Sequence, residues 1–164
     1  MFREMRRKRQ ELSEEACRQV LLEATSGVLA VYGDEGYPYA VPLSFVYAGS
    51  KIYFHGAKSG HKLDAIRRNE KVSFCVIGQD EIIPEKFTTY FRSVIVFGTA
   101  RILEDETEMR TAIEILSDKY APGRPEERDA EIGKEWPALC LVELSIDHMS
   151  GKEAIELVRR KTSL

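Results

Sequence analysis

The sequence predicts a mainly β protein of the α+β class, an antiparallel β-barrel of six strands with peripheral helices. Three observations lead to this fold. Six segments have the aromatic and β-branched content, or the alternation, of strands. Turn residues join most of them at short spacing, and few helical segments lie between them. This order favours an antiparallel barrel over a parallel α/β sheet, in which every strand needs a long crossover.

The chain is predicted to begin with a tail and a helix. Residues 1–12 are expected to form a basic, solvated tail, because no aromatic residues interleave the charges from Arg3 to Arg9. Ser13 followed by two glutamates indicates a helix start, and Gly27 ends the helical segment. The apolar stripe of this helix is Ala16, Val20, Leu21 and Ala24.

Three strands and a short helix follow. The strands are predicted from Val28 to Tyr32, from Tyr37 to Tyr47 and from Lys51 to His55, with turns at residues 34–36 and 48–50. A glycine-containing loop then leads to a helix from Lys62 to Arg68. The first two strands should form a hairpin.

The remaining strands run from Lys71 to Ile77, from Thr89 to Leu103 and from Ala138 to Ile146. Gly98 lies inside the long one, where a bulge or sharp bend would curve the sheet into a barrel. Between the last two strands, Asp105 begins a second amphipathic helix with the apolar stripe Met109, Ala112, Ile113 and Leu116. Residues 151–164 are expected to be a tail or a short helix.

Composition narrows the function classes. The 164 residues fit one domain, spanning residues 1–164, and the net charge of -3 gives no indication of a nucleic-acid partner. No segment approaches the roughly 20 apolar residues of a membrane span, so we expect a soluble, cytoplasmic protein. The three cysteines lack paired spacing, and His55, His61 and His148 lack the spacing of metal ligands, so neither a disulfide nor a metal site is expected.

The stretch from Tyr53 to Lys62 is the first candidate for chemistry. A strand enters a loop with Gly56 and Gly60, and a helix begins beside His61 and Lys62. Unpaired N–H groups at a helix N-terminus, together with a lysine, suit a phosphate group. The spacing is neither a Walker A nor a G-x-G-x-x-G motif. A plain strand-to-helix connection with a solvated basic rim remains an equal interpretation.

The second candidate is the stretch from Tyr37 to Phe45, in which Pro38 and Pro42 remove backbone donors from a strand-like run. An extended backbone with unpaired groups and apolar side chains can bind the polar edge and the rings of a flat heterocycle. An ordinary edge strand is the alternative interpretation.

These segments together resemble the nitroimidazole-resistance branch of the FMN-binding split-barrel family, the pyridoxamine 5'-phosphate oxidase-like proteins. The resemblance covers about residues 15 to 150 and rests on the order and spacing of four segments, at residues 37–44, 52–62, 67–74 and 90–98. It implies a split barrel that forms a homodimer, with flavin mononucleotide (FMN) at the subunit interface.

The resemblance also implies roles for individual residues. The isoalloxazine ring would be lined by Val41, Pro42, Leu43 and Ser44. The ring and ribityl region would contact His55, Gly56 and Ala57, and the phosphate would be held by Gly60, His61 and Lys62. Ser93 and Val94 would add contacts. His55 is the candidate catalytic residue, since an imidazole beside a flavin can exchange protons near neutral pH; a structural role in ring packing or hydrogen bonding is the alternative interpretation.

The implied activity is reduction of a small organic acceptor, such as a nitro compound or a quinone, by NAD(P)H through the flavin. Pyridoxamine oxidation itself is not expected, because the family's oxidases carry arginine where this chain has His61, and their C-terminal arginine motif has no counterpart here. Two alternatives stay open: a flavin- or haem-binding module without turnover, and a reductase that uses a deazaflavin.

Overall fold

The computed structural model describes residues 1–162 and contains one antiparallel sheet of seven strands. The strands are β1 (Gly27–Tyr32), β2 (Pro38–Leu43), β3 (Val46–Ala48), β4 (Lys51–Ala57), β5 (Lys71–Ile83), β6 (Thr88–Ile102) and β7 (Leu139–Glu153). The helices are α1 (Glu14–Glu23), α2 (His61–Arg68), α3 (Glu106–Tyr120), α4 (Pro125–Glu135) and α5 (Ile155–Thr162). The α+β class and the antiparallel barrel-like sheet are therefore as predicted, with one more strand.

The additional strand arises where one long strand was predicted from Tyr37 to Tyr47. The structure divides this segment at Ser44 and Phe45, because the Phe45 side chain is fully buried and its backbone turns away from β1. The sheet order is β2-β1-β5-β6-β7-β4-β3, so β2 and β3 are its two edges. Ser44 and Phe45 alone connect the two edge strands, so the sheet must curl until β2 and β3 are close. The barrel stays split because β2 and β3 do not pair with each other.

Two glycines shape the long strands. The β6–β7 register shifts between Phe97 and Gly98, and a Cβ at Gly98 would lie 2.3 Å from the Ser145 carbonyl oxygen, so only glycine allows this approach. The predicted bend at Gly98 is confirmed. β5 continues six residues past the predicted end at Ile77, through a register shift before Gln79. The polar residues after Gly78 gave no strand pattern.

The helix starts follow the capping residues. The Ser13 hydroxyl accepts a hydrogen bond from the Ala16 amide (3.2 Å), and the Asp105 carboxylate accepts one from the Glu108 amide (2.9 Å). The helix α4 was not predicted. The end of the predicted tail is not solvated, since Leu12 is buried and the neighbouring Glu11 pairs with β7. β7 continues seven residues past the predicted end at Ile146, so residues 151–153 belong to a strand and not to the predicted tail. The C-terminal segment is helical from Ile155, and residues 163–164 lie outside the described residues.

Candidate functional site

The end of β4 lacks a strand neighbour on one side. β4 pairs with β7 along its whole length, but β3 covers only Lys51 to Tyr53. Residues 54–57 therefore have a free edge, and β2 has another because it pairs only with β1. Since β3 continues from β2 and runs antiparallel to β4, the two free edges face each other across the split of the barrel. We call the gap between residues 41–44 and 54–57 the slot.

The slot offers backbone polar groups and apolar side chains together. Val41 and Leu43 pack partly against the barrel core, whereas Pro42 and Ser44 are exposed. Ser44 and the segment from His55 to Ala57 line the same cavity, of about 910 Å³. Unpaired N–H and C=O groups at the two edges can bind the polar rim of a flat ring, and the apolar side chains can bind its faces.

Helix α2 is attached to the same side of the molecule. The His61 ring packs at 4.1 Å (centroid to centroid) from the Tyr39 ring on β2, and its Nε2 accepts a hydrogen bond from the Asp34 amide (3.3 Å). Arg68, at the other end of α2, pairs with the Asp34 carboxylate at 2.7 Å. His61, in the predicted stretch of residues 60–62, thus lies against Tyr39, two residues before the predicted stretch of residues 41–44 on the same strand. The packing of His61 also shows that its ring fixes α2 against β2.

Lys62 lies over the exit of β4. A Cβ at Gly56 would lie 3.2 Å from its Nζ, so the absence of a side chain at position 56 leaves room for the ammonium group. Within the described part of the chain, neither Lys62 nor the neighbouring Lys58 forms an ion pair. Gly60, the residue before α2, has a φ of +135°, a conformation that favours glycine. A half-buried, unpaired ammonium beside a helix N-terminus suits an anionic ligand.

His55 lies at the edge of the slot, next to Gly56 and the Lys62 ammonium group. Its backbone pairs with Leu141, and its ring reaches solvent on one side. Desolvation of the rest of the ring, and then the positive charge of Lys62, hold the pKa of His55 below its ordinary value. A pKa below the ordinary value favours the neutral imidazole, in which one nitrogen donates and the other accepts a hydrogen bond.

Ser93 and Val94 lie away from the slot of their own chain. They pair with Lys152 and Gly151 on β7, whereas His55 pairs with Leu141. At about 3.3 Å per residue, roughly 30 Å of strand separates the two places. The side chain of Val94 is also fully enclosed in the core.

The cavity beside the slot has a second wall that the sequence did not predict. Its other residues belong to α3, α4 and the start of β7, and they include Leu116, Tyr120, Arg124, Arg128, Ile132 and Leu139. The sequence does contain a helix-start pattern for α4, because Pro125 is followed by two glutamates, as is typical of a first helical turn. The helix shows no apolar stripe in the sequence, because Ile132 is the only residue of α4 that is buried.

Comparison with known proteins assigns the chain to a family. A family model described as pyridoxamine 5'-phosphate oxidase matches residues 13–153. The chain belongs to this family. The matched range contains all seven strands, both edges of the slot and Lys62, so membership of the pyridoxamine 5'-phosphate oxidase family covers the whole sheet. A search of curated proteins finds no match.

Three solved structures have a similar fold. A candidate 5-nitroimidazole antibiotic resistance protein from Bacteroides thetaiotaomicron is 21% identical, with a TM-score of 0.73 over 87% of this chain and 86% of that chain. A FAD-binding protein from Mesorhizobium loti is 27% identical, with a TM-score of 0.63 over 88% and 97%. A FAD and heme binding protein from Mycobacterium smegmatis is 26% identical, with a TM-score of 0.75 over 89% and 73%.

Residues 1–162 contain neither a membrane-spanning helix nor a cluster of metal ligands. No helix there has the length and apolar character required to cross a membrane. The same residues hold no group of three or more His, Cys, Asp or Glu side chains placed to bind a metal ion.

Proposed function

We propose that the protein binds FMN in the slot and acts as an NAD(P)H-dependent reductase of small organic acceptors, such as nitro compounds or quinones. The observation that carries the proposal is the position of Lys62. Its ammonium group lies over Gly56 without an ion pair among the described residues, next to two free strand edges. The flavin named for the proteins of M. loti and M. smegmatis supports the same class of ligand.

The residues present fit each part of FMN. Lys62 and the first amide groups of α2 would hold the phosphate, with Lys58 close by in the loop. The segment from His55 to Ala57 would follow the ribityl chain, and residues 41–44 would contact the isoalloxazine ring. A single patch of unpaired cations favours one phosphate group, and hence FMN over FAD.

A homodimer is part of the proposal. Ile77, Ile95 and Phe97 expose 63%, 42% and 41% of their surface on adjoining strands β5 and β6. Large apolar side chains exposed next to each other indicate a contact surface. We expect a second copy to cover this face, and Ser93, two residues from Ile95, to reach the flavin from the partner copy.

His55 has the candidate catalytic role. The bound flavin would supply the redox chemistry, while the protein positions and tunes it. The neutral imidazole, which the lowered pKa of His55 favours, can hydrogen-bond to the polar rim of a ring in the slot and accept a proton there. The low pKa is a consequence of its position between the desolvated end of β4 and Lys62.

The experiment has two stages. The purified protein is first titrated with FMN, FAD, riboflavin, a deazaflavin and haemin; FMN binding with absorption bands near ~370 and ~450 nm is expected. The FMN complex is then mixed anaerobically with NADH or NADPH, followed by a nitro compound or a quinone. Bleaching at ~450 nm and recovery on addition of the acceptor support the reductase. A bound flavin that never bleaches would indicate a module without turnover, and a Soret band would indicate haem binding.

A further inference from the structure

The cavity that begins at the slot continues between two helices. Its floor is apolar and consists of Ile113 and Leu116 from α3, Ile132 from α4 and Leu139 from β7. One side opens to the slot at Ser44 and His55. We call the part bounded by these helices the α3–α4 cleft. Its volume, within the 910 Å³ of the whole cavity, is in the range of small-molecule sites.

The charged side chains at the mouth of the cleft disfavour the binding of anions. Arg128 pairs with Asp118 (2.9 Å) and with Asp129 (3.0 Å), which it shares with Arg110 (2.9 Å). Arg124, the other arginine that lines the cavity, pairs with Glu127 at 2.8 Å. Glu131 and Glu135 share a single cation, Lys134, at 3.5 and 3.7 Å. Three glutamates against two arginines among the lining residues make the mouth net negative, and Lys58 and Lys62 do not line the cavity.

We propose that the α3–α4 cleft binds the electron acceptor and that it selects a neutral aromatic ring over an anionic one. The proposal rests on the proposed function, because the acceptor must lie beside a flavin in the slot. The apolar floor accommodates an aromatic ring, and the carboxylates at the mouth repel sulfonate, carboxylate or phosphate groups. The same repulsion keeps the phosphates of a nicotinamide nucleotide away from α4.

The reaction with a nitroaromatic acceptor balances without a further reactant. NAD(P)H gives a hydride, which carries two electrons, and solvent supplies one proton. The nitro group takes up both electrons and two protons in total, one N–O bond breaks, and the products are a nitroso compound and water. The cleft has only to place the ring next to the slot.

The chain carries its own reporter of this binding. Trp136 is its single tryptophan, and its side chain lies outside the cleft lining but packs against the apolar cluster that includes Ile132 and Leu139, which form the floor of the cleft. Nitroaromatic compounds quench tryptophan fluorescence at short range, so binding can be measured without turnover. The probes are p-nitrobenzyl alcohol, which is neutral, and p-nitrobenzenesulfonate, an anion of similar size. The titration is performed on the protein with and without FMN.

The expected result is saturable quenching of Trp136 by the alcohol and binding of the sulfonate at least about tenfold weaker, as expected for repulsion by two nearby charges. Charge reversal at the mouth, in Glu131→Lys/Glu135→Lys, should tighten sulfonate binding roughly tenfold and leave alcohol binding within about twofold. The matched control, Glu70→Lys/Glu85→Lys, changes the net charge equally at exposed positions that do not line the cavity. It should alter neither affinity.

A second variant tests the place of binding. Ser117→Phe adds a ring to the side of α3 that faces the cleft and should abolish quenching by both probes, while FMN affinity stays within about twofold. Circular dichroism checks that each variant is folded. Equal affinity for the two probes, or no response to the charge reversal, would overturn the inference. Failure of FMN to bind would instead contradict the proposed function, so the two failures are distinguishable.

Discussion

The two ends of β4 carry charged residues that are used in opposite ways. At its start, the buried carboxylate of Glu143 on β7 pairs with Lys51 (2.9 Å) and Arg101 (3.0 Å) and accepts a hydrogen bond from the Tyr53 hydroxyl (3.2 Å). At its end, Lys62 lies over Gly56 and forms no ion pair with the described residues.

The strand pairing of the backbone also differs between the two ends of β4. β3 and β7 both pair with the start of β4, and there the charges compensate each other. Only β7 pairs with the end of β4, where one backbone edge has no strand neighbour and Lys62 forms no ion pair among residues 1–162. We infer that the first end stabilises the barrel and that the second end is kept for a ligand. The predictions below test this division.

The largest effect is expected from removing the buried carboxylate. Glu143→Ala leaves Lys51 and Arg101 without their shared partner, and we expect a loss of about 3 kcal/mol in the free energy of unfolding, since both cations are partly exposed and can reach water. Lys62→Ala, at the other end of β4, should change it by less than about 0.5 kcal/mol. Urea unfolding followed by circular dichroism measures both, and a larger loss in Lys62→Ala would reverse the assignment of the two ends.

The second effect concerns ligand affinity. Lys62→Ala removes a phosphate contact of about 1–3 kcal/mol, so FMN should bind roughly 5- to 150-fold more weakly. Riboflavin lacks the phosphate, and its affinity should stay unchanged. The control is Lys71→Ala, which removes a lysine already paired with Asp147 (3.1 Å). Fluorescence titration gives the affinities, and equal losses for FMN and riboflavin would show that Lys62 does not contact the phosphate.

Much of the fold was predictable because its signals are local. The caps at Ser13 and Asp105 and the bend at Gly98 each depend on one residue type in one place. The division of the strand at Ser44 was not predictable, because it depends on Phe45 entering the core and on Tyr120, whose hydroxyl accepts a hydrogen bond from the Phe45 amide (2.9 Å) across the sequence.

The candidate site was predictable only in part. The glycine loop and Lys62 formed a pattern along the chain, and the resemblance to a family gave the pattern a ligand. Part of the second wall of the cavity belongs to α4, which begins about 70 residues after His55 in the sequence and is polar on nearly all of its faces. The compensation of Arg128 by Asp118 and Asp129 is likewise a feature of the folded chain alone.

A smaller effect is expected from acid. Burial opposes ionisation of Glu143, but hydrogen bonds from Lys51 and Arg101 outweigh it and hold its pKa below the ordinary 4.5. Below pH 4.5 the unfolded chain binds more protons at this group than the folded chain, so the stability it contributes is lost as the pH falls through the folded pKa. Glu143→Gln should therefore flatten the fall in unfolding free energy below pH 4.5. An unchanged slope would assign the acid sensitivity to other carboxylates.

The smallest effect is a pKa change at the ligand end of β4. Desolvation and then the charge of Lys62 lower the pKa of His55, so Lys62→Gln should raise this pKa while leaving it below 6.5, because the desolvation remains. NMR titration of the imidazole measures it, with Lys71→Gln as the matched control. A phosphate bound at Lys62 should raise the pKa in the same direction, because its negative charge stabilises the imidazolium. If neither the substitution nor inorganic phosphate shifts the midpoint, then Lys62 and His55 do not share one site, and the contrast between the two ends of β4 loses its electrostatic basis.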